Sequence, residues 1–184
     1  FSSKINQITT LSEAVYTEII ADENLPVNKG FHPINQDLPK AISKSEARKK
    51  LGISNENSSV LFFGLVRQYK GLDLLIDAFA QDSLLNSTTE LVIVGEFYDK
   101  IEPYIKQIQA LGLDKRVRIV NEFVSFEVAR DYFCAADIVA QPYKTATQSG
   151  VTPLAYHYEV PLVVTDSVHP YERIKREGYA KRMR

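Results

Sequence analysis

Short apolar runs alternate with helix-like segments along most of the chain. Continuous apolar runs predict buried strands at residues 60–63, 91–94, 117–120, 138–140 and 162–165. Between them, apolar residues recur every three or four positions, which predicts helices over residues 72–79, 100–111, 126–136 and 150–158. Strands that are apolar throughout, rather than at alternate positions, are typical of a parallel sheet with helices on both faces. The pattern therefore predicts an α/β fold with a doubly wound parallel sheet.

The first quarter of the chain is less regular. Ser12 is placed to cap a helix over residues 13–21. Residues 22–41 are rich in Pro, Asn and Asp, and we interpret them as a loop or linker. After them, Ser43 or Ser45 is expected to begin a short charged helix.

Composition narrows the class of protein. The chain has 184 residues, of which 45% are hydrophobic, and its formal net charge is −1. This is enough apolar material for a core. A net charge close to zero gives the chain no general attraction for nucleic acid or for an anionic membrane. The aromatic residues are not interleaved with a basic stripe, which argues against a nucleic-acid partner. The single cysteine, Cys134, rules out an internal disulfide and a cysteine cluster for zinc.

Polar residues that follow the strands are the candidate site, because parallel sheets bind ligands at the carboxyl ends of their strands. After the first of these strands, Gly64 opens a turn that carries Arg67 and Lys70 toward the next helix. Glycine lets a ligand approach the backbone, and two cations beside free N–H groups suit a phosphate or diphosphate. An ordinary solvated turn is the alternative interpretation.

A second candidate anion site follows the fourth of these strands. Thr147, Gln148, Ser149 and Gly150 precede a helix that continues from Val151. Backbone amides at a helix start, together with hydroxyl and amide side chains, can bind an anion without a lysine. Ordinary helix capping by Thr or Ser is the alternative.

In this order, these segments resemble the donor-binding domain of the family 4 (group 1) glycosyltransferases, which have the GT-B architecture. The matching motifs are a glycine turn with a Lys-Gly step, the following strands, and a variant phosphate loop, at residues 62–79, 91–96, 117–143, 146–156 and 161–166. The resemblance implies a Rossmann-like domain, one half of a GT-B fold. Two departures are Leu65, where many members have arginine, and Thr147 and Ala155, where many have glutamates.

The resemblance implies a nucleotide-sugar donor and assigns each candidate residue a role. The donor diphosphate would be bound by Gly64, Arg67 and Lys70. Phosphate and sugar would be held by the loop of Thr147, Gln148, Ser149, Gly150 and Val151. The base would lie against Glu122, Phe123 and Val124. No catalytic residue is assigned.

The resemblance also implies which part of the enzyme the chain contains. Residues 1–41 correspond to the end of an N-terminal domain and an interdomain linker. Residues 42–184 correspond to the nucleotide-sugar-binding domain, which we expect to be incomplete at its C-terminus. Because the N-terminal domain of this family binds the acceptor, a glycan or lipid-linked saccharide, we expect this chain to be inactive alone. The parent enzyme would carry out a retaining sugar transfer in polysaccharide biosynthesis.

No cofactor and no metal are expected, because the candidate loops lack a DxD-type carboxylate pair and cations would stabilise the leaving diphosphate instead. The expected location is the cytoplasm, with peripheral attachment to the inner face of the membrane as an option, since the C-terminal residues are basic. A non-catalytic nucleotide-binding or interaction module of the same fold is the alternative function. A dinucleotide-binding domain is disfavoured because no G-x-G-x-x-G follows any strand. The sugar, the base, the acceptor and the oligomeric state are left open.

Overall fold

The structure is a computed structural model that describes residues 6–22, 26–30, 37–81, 87–146 and 149–165. Its strands are β1 Ile8–Thr10, β2 Val27–Lys29, β3 Ser59–Phe63, β4 Glu90–Val94, β5 Val117–Val120, β6 Ile138–Gln141 and β7 Leu162–Val164. Its helices are α1 Glu13–Asp22, α2 Lys44–Leu51, α3 Leu72–Phe79, α4 Glu102–Ala110, α5 Phe126–Ala135 and α6 Val151–His157. A 3-10 turn, Gln68–Lys70, precedes α3.

The central feature is a parallel sheet of five strands in the order β5-β4-β3-β6-β7. The chain winds outward from β3 to β5 and then returns to place β6 beside β3. The order therefore reverses between β3 and β6, and the carboxyl ends of these two strands bound the crevice where such sheets bind ligands. The predicted α/β fold with a parallel sheet is confirmed.

Two apolar cores lie on the two faces of the sheet. Leu61 and Phe62 are neighbours in β3, so their side chains point to opposite faces. Leu61 packs with Val92, Val139, Phe133 and Ala155. Phe62 packs with Ile93, Leu72, Ile76 and Tyr104. Burial on both faces is the reason that the strands are apolar throughout.

The predicted helix boundaries are largely confirmed, with hydroxyl caps at three starts. Ser12 Oγ accepts a hydrogen bond from Val15 N at 3.4 Å, and Ser125 Oγ accepts one from Val128 N at 3.4 Å. Of the two alternatives at α2, Ser43 is the cap, since its Oγ accepts from the Glu46 N–H at 3.3 Å. Within the described ranges, every helix is too short or too polar to traverse a bilayer.

The prediction of a loop throughout residues 22–41 is wrong at β2. Val27–Lys29 pairs in parallel with β1, with Ile8 opposite Val27. Two of its three side chains, those of Asn28 and Lys29, are exposed, so the segment has no apolar run that a pattern could detect. Backbone pairing with β1 alone makes it a strand.

The helix predicted over residues 100–111 begins later than the apolar spacing indicates. It starts at Glu102, with Pro103 in its first turn. Proline fits there because its missing N–H would have no partner within the helix and its φ is already helical.

A buried arginine joins α2 to the sheet. Arg48 is 3% exposed, and its Nη2 donates to Asp137 Oδ2 at 2.7 Å. Its Nε donates to Ala135 O at 3.0 Å. Burial alone would raise the pKa of the Asp137 carboxyl, but hydrogen bonds from Lys44 and the Ser59 N–H hold that pKa below its usual value.

We expect Arg48→Met to lower the free energy of unfolding by about 3–5 kcal/mol, since it removes the hydrogen bonds that this buried side chain donates to Ala135 O, Asn57 O and Asp137 Oδ2. Lys44→Met is the matched control, because Lys44 pairs with the same carboxylate from a half-exposed position. Its loss should cost about 1 kcal/mol or less. Urea denaturation measures both, and equal losses would contradict the assignment of Arg48 as the buried joint.

Candidate functional site

Gly64 is the point where three separate segments meet. It directly follows β3, has a φ of 95°, and donates its N–H to Val94 O at 2.9 Å. A Cβ placed on Gly64 would lie 3.3 Å from Lys70 Nζ and 3.3 Å from a methyl group of Val151. The structure therefore brings together Gly64, Lys70 and Val151, which the sequence placed in two different candidate loops.

Lys70 is a buried lysine that faces Gly64. Its residue is 8% exposed, and its Nζ lies 5.7 Å from the centroid of the Tyr143 ring. Within the part of the chain that the structure describes, no carboxylate pairs with this ammonium. Burial and the neighbouring charge of Arg67 lower the pKa of Lys70 to about 8. A buried cation of this kind is costly, and an anion beside it would offset that cost.

Arg67 lies over an aromatic ring. Its guanidinium carbon is 3.9 Å from the centroid of the Tyr98 ring. The segments that carry the two residues are paired, because Val66 N donates to Glu96 O at 2.8 Å and Tyr98 N donates to Val66 O at 3.1 Å. The turn after β3 is thus fixed to the turn after β4.

The turn after β3 is also fixed to the loop after β6. Lys144 N donates to Tyr69 O at 2.7 Å, and Lys144 Nζ donates to Asp73 Oδ2 at 2.6 Å. At Gly71, where φ is 68°, an added Cβ would lie 1.9 Å from Pro142 O. Glycine at this position lets the backbone that carries Lys70 approach β6.

Ser149 holds the start of α6 in place. Its Oγ accepts hydrogen bonds from Gln141 Nε2 and from Val151 N, each at 3.2 Å. It also lies 3.1 Å from Tyr143 Oη. Burial raises the pKa of Tyr143 to about 12, so the phenol stays protonated at neutral pH. The Ser149 side chain thus binds a backbone N–H at the start of α6, as the alternative interpretation of this loop, helix capping, predicts.

Sequence reasoning gave Gln141 and Tyr143 no role toward the donor. Gln141 is 2% exposed, and its Oε1 accepts from Thr152 Oγ1 at 3.1 Å, so it links β6 to α6. One feature of the sequence could have identified Gln141. It is a polar residue at the end of an otherwise apolar strand, and a buried polar residue needs hydrogen-bond partners.

The other predicted site residues have less defined surroundings. Thr147 and Gln148 lie outside the described residues, and Gly150 is exposed. Glu122 and Phe123 follow the edge strand β5 and are exposed, Phe123 by 87%. Val124 packs against the core that contains Leu61. Their roles toward phosphate, sugar and base stay predictions.

The fold and the site together define a doubly wound parallel α/β domain with two neighbouring cations, Arg67 and Lys70, at its topological switch point. A sequence model of the family described as Glycosyl transferases group 1 matches residues 57–181, more than half of the chain. The chain belongs to this family, as its motifs implied.

Two curated relatives illustrate the similarity. A glycosyltransferase of Methanocaldococcus jannaschii is 26% identical over 180 residues, which are 93% of this chain and 45% of that protein. A lipopolysaccharide core biosynthesis mannosyltransferase of Rhizobium meliloti is 29% identical over 130 residues, 68% of this chain and 36% of that protein. The chain thus spans less than half the length of either relative.

Solved structures show the same fold. Anabaena HepE in complex with UDP-glucose superposes with a TM-score of 0.76 and 23% identity, over 91% of this chain and 46% of that one. The C-terminal domain of a group 1 glycosyl transferase, LpcC, from Francisella tularensis superposes with a TM-score of 0.59 and 18% identity, over 74% of this chain and 71% of that one.

Proposed function

We propose that the chain is the donor-binding part of a glycosyltransferase and that it binds a nucleotide-sugar by its diphosphate. The observation that carries the proposal is the buried ammonium of Lys70, which has no counter-charge among the described residues and lies against Gly64 at the switch point. Two anionic phosphates would supply the missing charge. The relative HepE, whose structure was solved with UDP-glucose, supports this class of ligand.

In the proposed reaction, the bond between the sugar and the diphosphate breaks, and negative charge builds up on the leaving phosphate oxygens. Lys70 and Arg67 lie where they can stabilise that charge, and charge that develops in a transition state is the most effective target for fixed cations. This role fits a transfer that retains the configuration of the sugar and needs no metal ion. The acceptor would be a glycan or lipid-linked saccharide, and the name of the Rhizobium meliloti relative supports such an acceptor.

The first test is calorimetric titration of the chain with UDP, GDP and ADP. We expect one of the three to bind with a dissociation constant below about 1 mM, while the matching nucleoside without phosphates gives no heat. The nucleoside control isolates the diphosphate as the recognised group. No heat with any of the three at about 1 mM would overturn the proposal.

A second measurement separates transfer from simple binding. The longer parent protein, mixed with a panel of nucleotide-sugars, should release free nucleoside diphosphate by transfer or slow hydrolysis. Binding without any turnover in the presence of candidate acceptors would favour the non-catalytic module.

A further inference from the structure

We propose that Tyr98 is a positioning residue that holds the Arg67 guanidinium by stacking and leaves its N–H donors free for the diphosphate. The proposal rests on the proposed function, because it assigns a role toward that ligand. It concerns the segment after β4, which was not assigned any contact with the donor.

The surroundings of Arg67 show how the side chain is held. Its guanidinium carbon lies 3.9 Å from the centroid of the Tyr98 ring, within the range of a cation–π contact. Within the described residues, the guanidinium forms no ion pair with a carboxylate, and Arg67 contributes only its backbone carbonyl to a hydrogen bond, from Lys70 N at 3.0 Å. The ring is thus the contact that orients this cation.

An aromatic partner differs from a carboxylate in what it leaves available. A carboxylate would occupy two guanidinium N–H groups and neutralise the charge. A ring leaves the positive charge unneutralised, and a guanidinium that lies flat on a ring keeps its five N–H donors, which lie in its own plane, directed away from that ring. Tyr98 can therefore fix the direction of Arg67 without competing with an anionic ligand.

Both partners are attached to one rigid backbone unit. Val66, which directly precedes Arg67, forms a parallel bridge with Phe97, which directly precedes Tyr98. The Phe97 N–H donates to Asn121 Oδ1 at 3.0 Å, and the Phe97 ring packs on Tyr104 with centroids 5.6 Å apart. These contacts tie the two backbone segments together, which favours a single geometry for the pair of Arg67 and Tyr98.

The stacking also opposes a repulsion. Arg67 and Lys70 are both cations and repel each other. The charge of Arg67 contributes, after burial, to the lowered pKa of Lys70. Without the ring, the long Arg67 side chain would swing toward solvent, and a ligand would have to reorder it on binding. Reordering a long side chain weakens binding, so a preset Arg67 should bind more tightly.

The test is a double-mutant cycle on nucleotide binding, measured by calorimetry with UDP if the wild type binds it and otherwise with whichever of GDP and ADP it binds. The same nucleotide then replaces UDP in the other binding tests. We expect Tyr98→Leu to raise the dissociation constant about threefold to tenfold. Tyr98→Phe, which keeps the ring, should stay within about twofold of the wild type. In an Arg67→Ala background, Tyr98→Leu should have no further effect, because there is no guanidinium left to position.

A matched control comes from the N-terminal part of the chain. Lys29 Nζ lies 4.2 Å from the centroid of the Tyr16 ring, which is a cation–π pair remote from Gly64 in sequence and outside the five-stranded sheet. Tyr16→Leu removes a comparable aromatic contact and should leave UDP binding unchanged. NMR of the Arg67 Nε–Hε group provides a second measurement without ligand, and its signal should shift in Tyr98→Leu but not in Tyr98→Phe.

The outcomes distinguish a failure of the positioning role from a failure of the proposed function. If the wild type binds UDP and Tyr98→Leu leaves both the affinity and the Arg67 signal unchanged, the positioning role is wrong while the proposed function stands. An equal loss in the Arg67→Ala background would show that Tyr98 touches the ligand directly, which also overturns the positioning role. If the wild type binds no nucleoside diphosphate, both proposals fall.

Discussion

Replacing Lys70 by methionine is expected to abolish detectable UDP binding and, at the same time, to stabilise the unliganded protein. Lys70 is 8% exposed, and burial followed by the charge of Arg67 lowers its pKa from 10.5 to about 8. A depression of this size means that holding the charged form in the fold costs on the order of 3 kcal/mol at neutral pH. Methionine has a similar length without the charge, so the cost disappears together with the attraction for the diphosphate.

Two measurements check this expectation, urea denaturation for stability and calorimetry for UDP binding. Lys50→Met is the control, since Lys50 is exposed and forms an i,i+4 pair with Glu46 on α2. It should change the free energy of unfolding by less than about 1 kcal/mol and leave binding intact. A Lys70→Met protein that binds UDP normally would remove Lys70 from the site.

The stability difference between the wild type and Lys70→Met is expected to depend on pH. Between pH 8 and 10.5 the unfolded chain still holds the Lys70 proton while the folded protein has lost it. The unfolded state then binds more protons, so the stability of the wild type rises with pH across this window. The stability difference between the wild type and Lys70→Met should therefore be largest below pH 8 and shrink toward pH 10.5. UDP affinity should change in the opposite direction, falling above pH 8, because only the protonated amine attracts the diphosphate.

Gly71→Ala is expected to damage both the stability of the protein and its candidate site. Gly71 has a φ of 68°, and the new Cβ would lie 1.9 Å from Pro142 O. Alanine loses about 1–2 kcal/mol from the left-handed backbone alone, and the clash with a carbonyl adds to that loss. Relief of the clash would move the Gln68–Lys70 turn away from the loop after β6. We therefore expect weaker UDP binding as well as lower stability.

Gly112→Ala separates the two causes. Gly112 has nearly the same φ, 66°, but a Cβ there would meet nothing within 4 Å. Its cost in urea denaturation should be the backbone strain alone, and UDP binding should be unaffected. Equal losses in the two variants would contradict the close approach between Gly71 and Pro142.

The sheet could be predicted from the sequence because its residues obey local rules. Each strand is buried on both faces, so it appears as a short apolar run, and Leu72, Ile76 and Phe79 recur at helical spacing on the buried side of α3. The strand β2 could not be predicted in this way. Its exposed Asn28 and Lys29 have no apolar pattern, and its identity depends on a partner strand some twenty residues away.

Some residues of the candidate site could also be predicted from the sequence, and others could not. A general property of parallel sheets led to Gly64 and Lys70, since ligands meet the carboxyl ends of the strands. The resemblance to the family added Val151, and the structure places its side chain beside the other two. Neither the property nor the resemblance indicated Tyr98, because nothing in a sequence shows that one exposed tyrosine lies under an arginine thirty-one positions earlier.

The sequence by itself determined the α/β fold, the family and the edge of the sheet at which the candidate residues collect. These depend on apolar spacing, capping residues and glycine positions, which act within a few residues of one another. Only the tertiary structure decided that Lys70 is buried without a counter-charge among the described residues, that Ser149 accepts a hydrogen bond from Gln141, and that Arg67 lies over the Tyr98 ring. Burial and side-chain direction are set by segments distant in the chain that pack together, and no local pattern contains that information.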